Sequence, residues 1–188
     1  MRGESVMERE EVSIRYQGAP EDKNRLPKEL AVYELLEDLH IKYERVDHPV
    51  APTIEACNEI SDILGVSICK NLFLCNAQKT KFYLLILPGE KRFVTKEFCK
   101  QIESPRLSFA PESYMEQYLN ITPGSVSILG LMNDVDNKVT LYVDRDILDY
   151  EYFGCHPCIN TSSLKLKTKD IIETLLPAIH HQVHVVNL

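Results

Sequence analysis

The sequence predicts an α+β fold in a single domain built around a mixed β-sheet. Its 188 residues, 44% of them hydrophobic, suffice for one domain with a sizeable core. Segments with the apolar spacing of helices are interspersed with strands that short turns link into hairpins. Because strands and helices do not alternate regularly, the pattern is typical of α+β rather than α/β proteins.

The composition excludes several functional classes. The 21 basic and 28 acidic residues give a net charge of −7, which argues against broad, nonspecific nucleic-acid binding but leaves room for a local basic site. The longest apolar run, 82–87, is far shorter than the roughly 20 residues that span a bilayer, so no membrane partner is expected. The first residues lack a secretory signal, and we therefore expect a cytoplasmic protein with reduced cysteines.

The first forty residues predict an extension followed by a helix. Residues 1–26 are mostly polar and are expected to form a flexible N-terminal extension with one short strand near 12–16. The helix is predicted over 27–40, with Pro27 in its first turn. Its apolar face consists of residues three positions apart, namely Leu30, Tyr33, Leu36 and Leu39.

A short strand and a second helix come next. Alternation of apolar residues predicts the strand over 41–46. The segment 47–52 contains two prolines, which exclude regular structure there. Thr53 is a suitable cap for the second helix, and Gly65 is a suitable end for it.

The middle of the chain predicts a β-hairpin and a third helix. The strands are expected over 66–75 and 81–87, joined by five turn-forming residues. The continuous apolar run 84–87 indicates a strand that is buried on both faces. Thr95 is expected to cap a helix that continues to residue 102.

The last third of the chain predicts two more helices and several strands. Pro111 suits the start of a fourth helix, and Thr168 is expected to cap the last one. These elements are expected to form one domain over 27–180. A frayed tail over 181–188 is expected to follow, and it also explains the histidine cluster near the C-terminus. The remaining strands are expected over 125–129, 138–144, 152–154 and 162–166.

A C-x-x-C pair, Cys155 and Cys158, is the most conspicuous short motif. Such a pair serves as a redox dithiol or as half of a zinc site. The residues that follow it, 159–163, form helices poorly, although a redox dithiol needs a helix N-terminus. Cys69 and Cys75 have the wrong spacing for a second zinc-ligand pair. We therefore interpret these thiols as structural and expect no metal and no cofactor, while a redox role stays open.

Lys70 is more informative because it lies within an otherwise apolar predicted strand. Burying its ammonium group is costly unless the side chain reaches a polar cleft or an anion. The alternative is an edge-strand lysine that faces solvent. A polar segment that contains Gly154, His156, Asn160 and Thr161 is the other candidate site, because exposed backbone amides near a glycine can bind an oxyanion.

The sequence contains seven motifs in the same order as the YbaK/prolyl-tRNA synthetase-associated editing domain family, which it therefore resembles. Within that family it is most similar to the free-standing, alanine-specific branch. The similarity extends from about residue 30 to residue 176. The motifs are Asp47-His48-Pro49, Thr53-Ile54-Glu55-Ala56, Lys70-Asn71-Leu72-Phe73-Leu74, Leu107-Ser108-Phe109-Ala110, Thr122-Pro123-Gly124-Ser125-Val126, Gly130-Leu131-Met132-Asn133-Asp134 and His156-Pro157-Cys158-Ile159-Asn160-Thr161.

The resemblance implies a partly barrel-like mixed sheet and hydrolysis of the ester that joins an amino acid to the terminal adenosine of tRNA. Lys70 matches the essential lysine that anchors the 3′-terminal nucleotide. The segment from Gly154 to Pro157 matches the loop beside the scissile ester, where His156 positions the substrate. The residues implied in catalysis are Lys70, His156 and Gly154, and those implied in substrate binding are Asn71, Pro157, Asn160, Thr161, Thr53 and His48.

The function expected from this resemblance is trans-editing of mischarged Ala-tRNA(Pro), with the acceptor end of tRNA(Pro) carrying alanine as the partner. A pocket built for proline rejects alanine only by roughly 10- to 200-fold, which explains the need for a second site. A Cys-tRNA(Pro) deacylase and a non-catalytic module that senses aminoacyl-tRNA or an amino acid are the alternatives. Transient association with translation components is compatible with each, and the sequence leaves the oligomeric state open. The candidate phosphate contacts are Lys79, Lys81, Lys91, Arg92 and Lys96.

Overall fold

Two β-sheets and the helices around them form the framework of the protein. The computed structural model describes residues 15–22, 24–50 and 54–188, with the side chains of 54–57 left out. The predicted cap Thr53 and most of the extension therefore lie outside the described residues. Within the described part, the prediction of an α+β fold in one domain is confirmed, and no helix there is long and apolar enough to cross a membrane.

The strands and helices follow one another in a mixed order. The strands are β1 (Arg15–Gln17), β2 (Tyr43–Asp47), β3 (Lys70–Cys75), β4 (Phe82–Leu87), β5 (Ser108–Phe109), β6 (Val139–Asp144), β7 (Tyr152–Cys155), β8 (Ser162–Lys167) and β9 (Val183–Val186). The helices are α1 (Pro27–Asp38), α2 (Ile54–Leu64), α3 (Thr95–Gln101), α4 (Glu112–Leu119), a 3₁₀ helix (Ile128–Asn133), α5 (Arg145–Leu148), and a last segment made of α6 (Thr168–Asp170), a π-helical turn (Ile171–Leu175) and α7 (Leu176–Ala178).

The strands are divided between an antiparallel sheet and a mixed sheet. The antiparallel sheet has the order β1-β2-β8-β7. The mixed sheet has the order β5-β3-β4-β6-β9, in which β4, β6 and β9 run parallel and β3 and β5 pair in the antiparallel sense. The hairpin of β3 and β4 has the predicted connection, since Cys75 pairs with Phe82.

A parallel bridge between Ile68 and Gly154 joins the two sheets. Ile68 precedes β3 of the mixed sheet, whereas Gly154 lies in β7 of the antiparallel sheet. The amide of Cys69 donates a hydrogen bond to the carbonyl of Gly154 at 2.9 Å. The bridge holds the first residues of β3 against β7, which is where the sequence places its candidate site.

Strand β4 lies at the centre of the core. Every residue of Phe82–Leu87 is buried, as the continuous apolar run predicts. One face of the mixed sheet contributes to the main hydrophobic cluster with α1 and the antiparallel sheet, and the other face packs on Phe98 of α3 and on Leu107. A strand with two covered faces needs no polar alternation, and this explains the composition of β4.

The segment predicted as a strand over 125–129 instead leads into the 3₁₀ helix Ile128–Asn133. Its turn is favoured because the hydroxyl of Ser127 accepts a hydrogen bond from the amide of Leu129 at 3.2 Å. A Cβ at Gly130 would lie 2.3 Å from Cδ1 of Ile121 and 3.2 Å from the carbonyl oxygen of Leu119, so a side chain here would require the Ile121 side chain to move. The amide of Asn133 also donates to the carbonyl of Leu119 at 3.0 Å.

The prediction of a frayed C-terminal tail is wrong for β9. Strand β9 pairs in parallel with β6, with Leu141 opposite Val183 and Asp144 opposite Val186. The ring of His184 donates from Nδ1 to the carbonyl of Leu141 at 3.2 Å. Valine-rich residues favour strands, and the edge of β6 offers the backbone partners that they need.

The threonines predicted as helix caps do not cap. Thr95 and Thr168 are the first residues of α3 and α6, and the capping positions belong to Val94 and Lys167, without a side-chain hydrogen bond. Each threonine therefore lies one position after the N-cap, inside the helix, and its hydroxyl does not cap the first turn. The helix itself is maintained by packing of buried residues such as Phe98.

Candidate active site

Lys70 is the first residue of β3 and lies opposite Leu87 of β4. Its side chain is half-buried, and its ammonium donates a hydrogen bond to the backbone carbonyl of Lys91 at 2.8 Å. Among the described residues, no carboxylate forms an ion pair with this ammonium. Since an ammonium carries three donors, the carbonyl occupies one and leaves the others available to a ligand.

The side chain of Lys91 forms ion pairs with two carboxylates. Its ammonium lies 2.9 Å from Oδ1 of the fully buried Asp144 and 2.8 Å from Oδ2 of Asp146. Burial lowers the pKa of Lys91, but the two carboxylates outweigh this effect and the pKa is raised. These ion pairs argue against Lys91 as a phosphate contact, because its charge is already paired. Its backbone carbonyl instead orients Lys70.

Gly154 lies within β7, at the bridge that joins the two sheets. A Cβ at this position would lie 2.6 Å from the carbonyl oxygen of Ser67 and 3.0 Å from Cα of Ile68. A side chain is thus excluded by backbone atoms that cannot move away cheaply. Because the bridge at Ile68 and Gly154 is parallel, Lys70 and His156 each follow it by two residues. The structure brings them to equivalent positions beyond the bridge, while the oxyanion role of Gly154 stays a prediction.

His48 is buried directly after β2, and both of its ring nitrogens are occupied. Nδ1 donates to the carbonyl of Pro49 at 2.8 Å, and Nε2 accepts from the hydroxyl of Ser163 at 2.9 Å. Its backbone amide donates to the carbonyl of Thr161 at 3.0 Å. Burial lowers the pKa of His48 and favours the neutral ring. The ring has no nitrogen left for a substrate, in contrast to the direct contact expected from the sequence.

His156 follows β7, and the described residues contact its ring nitrogens on the Nδ1 side alone. Nδ1 lies 3.0 Å from the carbonyl of Ser162 and 3.2 Å from the hydroxyl of Ser163. A carbonyl oxygen can only accept, so Nδ1 carries the proton and Nε2 is an acceptor. Within the described part of the chain, Nε2 has no hydrogen-bond partner. Burial lowers the pKa of His156, the nearby His48 lowers it further, and the carbonyl of Ser162 opposes both.

An ion cluster fixes the residue before His48. The guanidinium of Arg25 binds both carboxylate oxygens of Asp47, at 3.1 and 2.6 Å, and Arg45 also donates to this carboxylate. Burial alone would raise the pKa of Asp47, but the two arginines outweigh it and the pKa is lowered. The bidentate arginine pair holds the end of β2 in one geometry.

The same cluster extends to the segment that carries His156. Arg25 binds the buried Glu29 at 2.6 Å, and Glu29 accepts a hydrogen bond from the hydroxyl of Tyr33 at 2.8 Å. That hydroxyl lies 3.3 Å from Oγ of Ser162. Helix α1 is thereby tied to the residue whose carbonyl accepts from His156. Buried polar groups connected in this way rigidify a site.

The other residues predicted to bind substrate differ in their burial and in their contacts. The amide of Asn71 donates to the carbonyl of Cys69 at 2.8 Å, and its buried Oδ1 has no partner among the described residues. Asn160 is half-buried, and its amide nitrogen lies 3.4 Å from the position of a Cβ at Gly124. Pro157 is buried and Thr161 is exposed. The structure gives no contact for Thr53, which lies outside the described residues.

The cysteines near the site are buried thiols. Cys155 and Cys158 are fully buried, and burial raises the pKa of Cys155 well above its ordinary value and that of Cys158 to about 12. Burial also raises the pKa of Cys69 to about 12. A reactive cysteine needs a lowered pKa and access, which these thiols lack. In the described residues, no group of three or more His, Cys, Asp or Glu side chains could hold a metal ion.

The model of the aminoacyl-tRNA editing domain family matches residues 48–174, a stretch that includes both histidines and Lys70. The chain belongs to this family. Prolyl-tRNA editing protein ProX of Acetoanaerobium sticklandii is 33% identical over 142 residues, which cover 75% of this chain and 86% of that protein. Prolyl-tRNA synthetase associated domain-containing protein 1 of Danio rerio is 29% identical over 153 residues, which cover 80% of this chain and 82% of that protein.

Solved structures share the fold of this editing domain. The crystal structure of a protein described as a candidate trans-editing enzyme for prolyl-tRNA synthetase superposes with a TM-score of 0.64 at 19% identity. The superposition covers 87% of this chain and 99% of that one. At this identity the likeness concerns the fold alone. Membership in the family confirms the prediction that the chain is an aminoacyl-tRNA deacylase, a hydrolase that cleaves an ester.

Two contacts of the site could not be predicted from the sequence. Ser163 connects the two histidines, and the carbonyl of Lys91 holds Lys70. A serine in a strand carries no signal of its own, and a backbone carbonyl carries none at all. Only the pairing of β8 with β2, which places Val46 opposite Ser163, could have brought this serine near His48.

Proposed function

We propose that this chain is a trans-editing enzyme that hydrolyses the ester of mischarged Ala-tRNA(Pro). The similarity to a prolyl-tRNA editing protein supports tRNA(Pro) as the nucleic acid partner. We assign the editing domain to the predicted residues 27–180, which include the family match, together with strands β1 and β9, which pair with its sheets. We assign the reaction to the cytoplasm, in transient association with translation components.

One observation carries this proposal. Beyond the bridge of Ile68 and Gly154, the ammonium of Lys70 and Nε2 of His156 have hydrogen-bonding capacity that no described residue uses. An ammonium binds phosphate as a point charge, and a neutral imidazole nitrogen accepts a hydrogen bond. Together they suit a substrate that has a phosphate on one side of its ester and an ammonium group on the other.

Hydrolysis of this ester does not require a strongly nucleophilic side chain. An aminoacyl ester is activated, so its hydrolysis requires positioning and stabilisation of the oxyanion more than a strong nucleophile. Lys70 anchors the terminal nucleotide through its phosphate, and His156 places the aminoacyl group. The ribose hydroxyl of the substrate helps to activate the attacking water, as the family resemblance implies. No side chain of the site then has to act as a nucleophile.

Selectivity for alanine follows from size. Proline carries a ring that alanine lacks, and a site that fits alanine closely excludes the ring by steric conflict. The ring of the buried His48 lies near that of His156, with ring centroids 6.2 Å apart, and the next two residues of the chain, Pro157 and Cys158, are buried as well. His156 itself favours alanine over cysteine, since this histidine marks the alanine-specific branch that the sequence resembles.

A deacylation assay with purified mischarged tRNAs separates this function from its alternatives. Hydrolysis of Ala-tRNA(Pro) with little effect on Cys-tRNA(Pro) supports the proposal. Faster hydrolysis of Cys-tRNA(Pro) than of Ala-tRNA(Pro) would identify a Cys-tRNA(Pro) deacylase. Binding of aminoacyl-tRNA without hydrolysis of either ester would identify a sensing module.

A further inference from the structure

Ser163 links the two histidines of the site, and we propose that it is a positioning residue for His156 in the deacylation reaction. Its hydroxyl lies 2.9 Å from Nε2 of His48 and 3.2 Å from Nδ1 of His156. The serine is fully buried in β8, where it lies opposite Val46 of β2. Neither ring reaches the other directly, since their centroids are 6.2 Å apart and the planes are tilted by 55°.

The backbone carbonyls that contact the two histidines determine which ring nitrogen of each carries the proton. The carbonyl of Pro49 can only accept, so His48 carries its proton on Nδ1 and its Nε2 must accept from the hydroxyl of Ser163. The carbonyl of Ser162 can also only accept, so His156 carries its proton on Nδ1. That proton is shared with the hydroxyl oxygen of Ser163, which has free acceptor capacity.

This chain of hydrogen bonds runs in one direction, from His156 to Ser163, then to His48 and to Pro49. Every proton in it has an acceptor, and both rings are neutral. His48 is itself fixed, because its backbone amide donates to the carbonyl of Thr161 at 3.0 Å. His48 and Ser163 therefore act through His156, without a contact of their own to the reacting ester.

The consequence concerns Nε2 of His156, which no described residue contacts by a hydrogen bond. With Nδ1 held by two oxygens, Nε2 is an acceptor with a fixed direction, suited to the α-ammonium group of the aminoacyl ester. Without the hydroxyl of Ser163, one of these two contacts is lost and Nε2 of His48 has no donor. The ring of His156 can then turn about a single remaining hydrogen bond. Since this role rests on the proposed function, its test needs a readout that does not require activity.

The kinetic test compares Ser163→Ala and Ser163→Thr with the wild-type chain. Loss of one positioning hydrogen bond should lower single-turnover kcat by about fivefold to tenfold and change KM by less than about twofold. Ser163→Thr, which keeps the hydroxyl, should restore most of the rate. The matched control is Ser127→Ala, which removes another fully buried serine hydroxyl and should leave the rate near that of wild type.

The structural test uses ¹⁵N spectra of the histidine rings in the free protein. Wild type should show His48 and His156 as neutral rings protonated at Nδ1. In Ser163→Ala, the Nε2 signal of His48 should move to that of an unbound acceptor, and His156 should populate a second tautomer. Ser127→Ala should show the wild-type ring signals, with circular dichroism confirming that each variant is folded.

Unchanged His156 signals in folded Ser163→Ala would overturn the positioning role, whether or not the rate falls. A rate of Ser163→Ala equal to that of wild type would overturn it as well. If the wild-type chain hydrolyses no aminoacyl-tRNA, the proposed function fails. The ring signals still show in that case whether Ser163 orients His156, so the two failures are distinguishable.

Discussion

The ammonium of Lys70 donates to the backbone carbonyl of Lys91 at 2.8 Å, and the side chain of Lys91 is paired with Asp144 and Asp146. One lysine is thus oriented by the backbone of another whose charge is neutralised elsewhere. Lys70 is thus a cation whose remaining donors no described residue occupies, which makes them available to a ligand. The catalytic and nucleotide-anchoring role that we assign to it depends on this availability.

Replacement of Lys70 should reduce catalysis strongly. The change Lys70→Ala removes a charge-assisted hydrogen bond worth roughly 1.5–3 kcal/mol, so kcat/KM should fall by at least about tenfold. Single-turnover deacylation and tRNA affinity measure the loss. The control is Lys42→Ala, because Lys42 is exposed directly before β2 and is not among the candidate phosphate contacts. A near-wild-type rate in folded Lys70→Ala would remove this lysine from the site and favour the sensing module.

His156 should give the reaction an acid limb. Its Nε2 accepts only while the ring is neutral, and burial lowers the pKa of His156 from the ordinary value of 6.5. The rate, corrected for uncatalysed hydrolysis, should therefore stay level down to pH 6.5 and fall only below it. His156→Ala should lower the rate while tRNA binding largely survives. A midpoint above pH 6.5 would show that the protonated ring is favoured, contrary to the structure.

The same shift has a consequence for stability. Because the folded pKa of His156 lies below the unfolded one, the unfolded chain binds more protons between the two values. The contribution of this ring to the free energy of unfolding is complete above pH 6.5 and is lost as the pH falls through the folded pKa. His48 has a lowered pKa as well and acts in the same direction.

Both cysteines of the C-x-x-C motif should be dispensable for chemistry. Cys155 and Cys158 are fully buried with raised pKa values, so the double change Cys155→Ser and Cys158→Ser should keep most of the activity in folded protein. Its melting temperature should fall, because serine places hydroxyl groups in an apolar site. Incubation with EDTA should leave activity unchanged. A loss of activity with EDTA that zinc restores would instead revive a metal site.

Gly154 should tolerate no side chain. In Gly154→Ala the new Cβ would lie 2.6 Å from the carbonyl of Ser67, which forces the two sheets apart. We expect a fall of several degrees in the melting temperature, since strain of about 1–3 kcal/mol is typical of overpacking. The deacylation rate should fall too, because the bridge positions Lys70 and His156. An unchanged melting temperature would show that the sheets are not in such close contact.

Much of the fold follows from local pattern, and the exceptions have physical causes. The apolar run of β4 and the spacing in α1 predicted these elements, because burial alone determines them. The segment over 125–129 has strand-like composition, but the hydroxyl of Ser127 and the close packing of Gly130 favour a 3₁₀ turn. Strand β9 depends on the free edge of β6, a distant partner that local sequence does not reveal.

The candidate site was predicted in part by its residue types. Lys70 is a candidate because it is a cation in an apolar strand, and among the described residues its ammonium bonds to the backbone carbonyl of Lys91. The ring environments of His48 and His156 depend on Ser163, which comes from a strand more than a hundred residues after His48. Such contacts arise from strand pairing across the whole chain, so residue type and spacing cannot reveal them.

The relative hydrolysis of Ala-tRNA(Pro) and Pro-tRNA(Pro) tests the central claim most directly. Both substrates should be measured side by side under single-turnover conditions with purified wild-type protein. A site that fits alanine and excludes the proline ring should cleave Ala-tRNA(Pro) at least about tenfold faster and leave Pro-tRNA(Pro) largely intact. Equal hydrolysis of the two esters would contradict the account.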